Sequence, residues 1–121
     1  MLQGTLYNII ETIRTDSGCK CWLKLHSECN IYQGHFPNNP ITPGVIMIAI
    51  AREIIELQLN NSLELIAAPS IKYISVLSPI QHPEIEYNIE YSFEESQCKA
   101  KVVISNNDVQ FTRMTLVFKP V

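Results

Sequence analysis

The chain has no apolar run long enough to cross a bilayer: the longest, Val45 to Ala51, is seven residues, where a spanning helix needs about 20. Its start, Met1-Leu2-Gln3-Gly4, lacks the charged opening and continuous apolar segment of a secretory signal. An excess of basic residues is also missing. Nine Lys and Arg stand against twelve Asp and Glu, for a net charge of -3, which argues against nucleic acid as a partner because that needs a basic stripe. An acidic partner would have to meet a local patch of Lys and Arg, and none stands out along the sequence. The three histidines are dispersed with no helical pair, and Cys19-x-Cys21 has no second ligand pair. No metal and no cofactor are therefore expected. The four cysteines read as reduced core and surface thiols of a cytoplasmic protein. Repeats, low-complexity segments and linkers are absent too. With 46% apolar and 17% charged residues over 121 positions, the chain reads as a single domain, 1–121, with a modest core.

Strand patterns dominate what is present. Leu6 to Ile13 is β-prone, and Cys19 to Leu25 alternates with Cys19, Cys21, Leu23 and Leu25 on one face. Thr15-Asp16-Ser17-Gly18 between them is a turn signal, which predicts an antiparallel hairpin. His26 to Gln33 is polar and reads as irregular. Beyond Leu63 everything reads as strand: Ile71 to Leu77, ended by Ser78-Pro79; Glu84 to Glu94, alternating between one buried and one wet face; Cys98 to Ile104; and Val109 to Lys119. Asn106-Asn107-Asp108 is a turn. The apolar phase shifts between Phe111 and Met114, predicting a bulge there.

The centre of the chain is His35-Phe36-Pro37-Asn38-Asn39-Pro40-Ile41-Thr42-Pro43-Gly44 and the apolar run after it. Its prolines hold the backbone in extended or turn geometry. Thr42 is then a reasonable N-cap and Pro43 a suitable first helical residue. The helix is expected from about Pro43 to Leu57, buried on every side in its first half and emerging toward solvent from Arg52, with Asn60-Asn61 ending it. His35 thus sits a short, stiff distance before open helix amides: a base beside a site that polarises an anionic oxygen. Taken alone, a histidine near apolar residues is usually structural; its setting favours a pocket, while His26 and His82 read as surface. About six strands around one helix make an α+β architecture, a twisted antiparallel sheet wrapping one apolar helix. One helix cannot cover such a sheet, so an edge strand and some apolar surface are left for a second copy.

The motif His35-Phe36-Pro37-x-x-Pro40-x-x-Pro43-Gly44-Val45, followed by an apolar helix, resembles the beta-hydroxyacyl-(acyl carrier protein) dehydratases of the hot-dog fold. This resemblance implies a homodimer with an acyl tunnel along the helix at the dimer interface, with Phe36, Pro43, Val45, Ile48 and Ala49 as its substrate-binding residues. It implies that His35 removes the α-proton of a 3-hydroxyacyl thioester and that the Gly44 amide polarises the thioester carbonyl. The substrate would be an acyl thioester on an acyl carrier protein, in lipid or polyketide-type chain biosynthesis.

One family feature is missing. The Glu or Asp that protonates the departing hydroxyl, five positions after the glycine, is Ala49 here, and a positioned general acid is worth about 10²–10⁴ in rate. Glu53 lies on the same helix face one turn further on, about 6 Å away, and is the candidate replacement. Its ordinary reading is a partly exposed helix carboxylate. Three possibilities follow: an active dehydratase using His35, Gly44 and an unusual acid such as Glu53 or a bound water; a subunit that works only in a heterodimer with another hot-dog chain that supplies the acid; or an acyl-binding module without catalysis. Thioesterase activity is a lesser alternative, also weakened by Ala49.

Overall fold

The computed structural model describes residues 1–34 and 39–121. In chain order its elements are β1 (Tyr7–Arg14), β2 (Gly18–Leu25), α1 (Asn30–Gln33), α2 (Gly44–Leu59), β3 (Leu63–Tyr73), β4 (Glu84–Glu94), β5 (Gln97–Asn106) and β6 (Val109–Pro120). The strands form a six-stranded sheet in the order β1-β2-β4-β5-β6-β3, with every neighbouring pair antiparallel. The expected β1–β2 hairpin is present. Thr15 N–H donates to Gly18 C=O at 3.0 Å across its turn. Gly18 has no room for a side chain, because a Cβ would run into the carbonyl of Ile89 on β4. Asn60 closes α2 in the left-handed region, φ 52°, with its N–H on Glu56 C=O, a conformation asparagine tolerates.

Alternation puts the inward residues of the strands into one core. Cys19, Cys21, Leu23 and Leu25 of β2, Ile85, Tyr87 and Ile89 of β4, and Cys98, Ala100, Val102 and Ile104 of β5 are all buried. The helix contributes Met47, Ile50, Ala51, Ile54 and Ile55, a stripe close to the spacing of one helical face. All four cysteines are free and buried, so none is the surface thiol that the sequence allowed for.

Several expectations are corrected. The segment 26–33 is not wholly irregular, since the single turn of α1 buries Tyr32. Strand β3 begins at Leu63 and ends at Tyr73 rather than running to Leu77. A bulge in β6 causes this. Ile104 pairs with Thr112 and Ser105 with Gln110, leaving Phe111 as the extra residue. Its carbonyl accepts both Ile74 N–H and Ser75 N–H, at 2.8 and 3.2 Å, and the chain beyond departs from the ladder. The bulge itself was expected at this place.

The first half of α2 is not buried all round: Val45 is 71% exposed and Ile46, Ile48 and Ala49 are half-buried, because one sheet wraps only one side of a helix. The inward run of β4 stops at Ile89; Tyr91 is half-buried and Phe93 exposed. Eleven strand residues span about 36 Å against about 24 Å for a 16-residue helix, so the strand outruns its cover. Edge strand β3 carries exposed Leu65 and Ile66, and the segment after it exposes Ile74, Val76 and Ile80.

Candidate active site

The start of α2 is fixed from below by buried hydroxyls. Tyr32 and Thr42 share a hydrogen bond of 2.8 Å between their hydroxyls, Tyr87 donates to the carbonyl of Met47 at 3.0 Å, and Thr112 donates to Met47 Sδ at 3.3 Å. Thr42 is therefore not the N-cap. Its oxygen is taken by the tyrosine, and Pro43 occupies the cap position with Gly44 as the first helical residue. Burial pushes the Tyr32 phenol up to about 12, partly offset by its bond to Thr42, and burial drives Tyr87 upward further. Both stay protonated and keep their hydrogens for bonding.

From the other side, Thr42 N–H donates to Leu77 C=O at 2.8 Å, joining the pre-helix segment to the chain that left β3. Between them lies a cleft of about 320 Å³ lined by Pro43, Gly44, Met47 and Tyr73 to Leu77. The first amides of a helix have no partner within it, and those of Gly44 and Val45 donate to no acceptor elsewhere among the described residues. Beside them is Tyr73. A Cβ at position 44 would come within 2.8 Å of Tyr73 Cζ and would collide with its hydroxyl.

Of the residues singled out in the sequence, Pro43 and Gly44 meet in this cleft. His35 and Phe36 lie outside the described residues. Val45, Ile48 and Ala49 do not line the cleft: Val45 faces outward, while Ile48 packs half-buried against the core. Glu53 is not brought to the cleft either, and it is not the partly exposed carboxylate expected. It is 2% exposed. It accepts Leu2 N–H at 2.8 and 3.1 Å on its two oxygens, Gln3 N–H at 3.1 Å and the Tyr7 hydroxyl at 3.0 Å. These bonds hold the N-terminal segment against the helix.

No local signal in the sequence places Tyr73 beside Gly44, and none reveals a cluster of basic side chains. Lys72 from β3, Lys101 from β5 and Arg113 from β6 line one concavity of about 470 Å³ on the sheet, with Glu90 of β4 opposite Lys101, so basic side chains outnumber acidic ones there by three to one. Cross-strand register pairs Lys72 with Arg113; no sequence window holds all three. Among the described residues, no cluster of three or more His, Cys, Asp or Glu side chains is arranged to hold a metal ion. No described helix is long and apolar enough to cross a membrane.

Comparison with known proteins places this geometry. Among solved structures, the dehydratase heterocomplex ApeI:P from Xenorhabdus doucetiae has a chain 16% identical, with TM-score 0.67, over 92% of this chain and 96% of that one. Cj0977, a sigma28-regulated virulence protein from Campylobacter jejuni, is 16% identical with TM-score 0.68, over 96% and 84%. A hypothetical thioesterase with coenzyme A from Streptococcus pneumoniae is 13% identical with TM-score 0.62, over 95% and 85%. At these identities the likeness is one of fold, the hot-dog fold. No curated protein sequence matches. The model of the ApeI-like family, described as ApeI dehydratase, matches residues 11–112, and the chain belongs to the ApeI-like dehydratase family.

Proposed function

We propose that the protein is a 3-hydroxyacyl thioester dehydratase acting on chains borne by an acyl carrier protein, in lipid or polyketide-type acyl chain biosynthesis. The observation that carries this reading is the cleft at the first turn of α2, lined by Gly44, whose amide has no acceptor among the described residues and which follows the motif histidine by nine positions. In this reading His35 takes the α-proton, and Gly44 N–H polarises the thioester carbonyl so that the resulting enolate is stabilised. The basic concavity of Lys72, Lys101 and Arg113 supports an acidic carrier as partner, since a net-negative protein must present a local patch to meet one. Free buried thiols accord with a cytoplasmic setting.

A second reading is favoured by Glu53. Its oxygens are committed to the N-terminal backbone and Tyr7, and Ala49 supplies no proton. A dimer in which a second hot-dog chain brings a carboxylate would complete the site; the open faces at Val45 and along β3 and residues 74–80 support such pairing. The two readings separate in one experiment. Hydration of a trans-2-enoyl thioester by the purified chain, abolished by His35→Ala, is expected from the first. Turnover only after addition of a second hot-dog chain with a helix acid is expected from the other. Acyl-thioester binding that survives His35→Ala, with no turnover in any pairing, would leave a non-catalytic acyl-binding module.

A further inference from the structure

Building on the dehydratase reading, we propose that Tyr73 is a second hydrogen-bond donor to the substrate's thioester carbonyl, acting beside the Gly44 amide. The two groups are already neighbours. The phenol lies where a side chain at position 44 would be, close enough that a Cβ there would collide with its hydroxyl, and both residues line the same cleft. The hydroxyls of Tyr7, Tyr32 and Tyr87 are each bonded within the protein. That of Tyr73 has no partner among the described residues, and its side chain remains largely open to solvent. A glycine at the helix start therefore does two things: it leaves its amide unshielded, and it makes room for a phenol next to that amide.

The chemistry uses both donors at one moment. When the C2–H bond breaks, its proton passes to the His35 imidazole and the electron pair moves onto the thioester oxygen. Gly44 N–H and Tyr73 O–H each donate a hydrogen bond to that oxygen, and neither proton is transferred. The pair then returns to form the C2–C3 double bond as C3–O breaks. The departing hydroxyl takes the proton held by the imidazolium and leaves as water. Donors aimed at an oxygen that gains charge in the transition state accelerate the step rather than merely tightening binding.

Deuterium exchange tests this without requiring dehydration. A saturated acyl-pantetheine thioester lacking the 3-hydroxyl, incubated in D₂O with the full chain, should exchange its C2 hydrogens, followed by proton NMR. Tyr73→Phe should slow that exchange by about 10²–10³-fold, with thioester binding and melting temperature essentially unchanged. Gly44→Ala, which puts a methyl group where the phenol lies, should slow it as well, and the double variant should be no slower than the worse single one. Exchange at the wild-type rate in Tyr73→Phe overturns the proposal. Wild-type protein that exchanges but dehydrates no 3-hydroxyacyl thioester, alone or with a second hot-dog chain bearing a helix acid, keeps Tyr73 in its role and overturns the dehydratase reading instead. A wild-type protein inert in both assays overturns both.

Discussion

Glu53 and Tyr7 meet inside the protein, the tyrosine hydroxyl donating to the carboxylate at 3.0 Å. The same carboxylate receives the backbone amides of Leu2 and Gln3, so one side chain of α2 anchors both β1 and the segment before it. Burial and the neighbouring negative charge drive the Tyr7 phenol upward, which keeps its hydrogen on the bond.

Removing that carboxylate should cost stability before it costs chemistry. Glu53→Ala leaves two backbone amides and a buried hydroxyl without their acceptor, for a loss of about 3–5 kcal/mol. Glu53→Gln, which keeps one acceptor oxygen, should lose less. Chemical denaturation measures both. The turnover rate per folded molecule should stay within a few-fold of wild type; a large fall in rate at unchanged stability would return Glu53 to the catalytic machinery.

Introducing an acid at position 49, one helical turn before Glu53, should increase the rate if the dehydratase reading holds. Ala49 is half-buried, so a glutamate fits there at modest cost. Ala49→Glu is expected to raise dehydration of a 3-hydroxyacyl thioester by about 10²–10⁴ if the missing proton donor limits turnover. An unchanged rate would mean that the acid comes from elsewhere, including a partner chain.

Tyr87→Phe deletes the second donor to the Met47 carbonyl and leaves it only its bond within the helix, a loss of about 0.5–1.5 kcal/mol. Because that carbonyl belongs to the first turn of α2, the variant should also impair turnover more than its stability loss explains. Comparison with Tyr32→Phe, which removes the bond to Thr42, reads the same support from the loop side.

Alkaline pH should unfold the protein by a predictable route. Burial raises Cys19 from 9.0 to about 11 and Tyr32 from 10.0 to about 12. Between each pair of values the unfolded chain has already lost its proton while the folded one retains it. The unfolded state thus binds fewer protons and stability falls as pH rises. Thermal melts should be flat with respect to these groups below about pH 8, with the melting temperature dropping from about pH 9 upward. A melting temperature constant to pH 11 would show that these groups ionise within the fold.

Dimer formation is testable at the uncovered edge. Ile66 and Val76 are 44% and 64% exposed in the single chain, so Ile66→Asp or Val76→Asp should leave the fold intact. If this face pairs with another hot-dog chain, light scattering should report a dimer for the wild type and a monomer for the variants. Turnover should be lost with the dimer.

What could be learned from sequence followed from periodic and local signals. The β1–β2 hairpin, the inward faces of β2 and β5 and of β4 as far as Ile89, the Asn60 stop of α2 and the Phe111 bulge each depend on residues within a few positions of one another. The motif running to Gly44 carried the family in the same way. Partners far apart in sequence were not legible: Thr42 lost its capping role to Tyr32, ten residues earlier; Glu53 turned inward because Leu2, Gln3 and Tyr7 fold against α2; Tyr73 found Gly44 only because β3 ends where the bulge releases it.

The chain by itself therefore determined the strand pattern, the buried helix and the family to which it belongs, because hydrophobic spacing and proline-glycine punctuation act locally. Only the tertiary structure decided which polar groups were already taken and which faced the cleft. A hydrogen-bond donor or acceptor has no fixed role until folding brings its partner, and those partners lie tens of residues away.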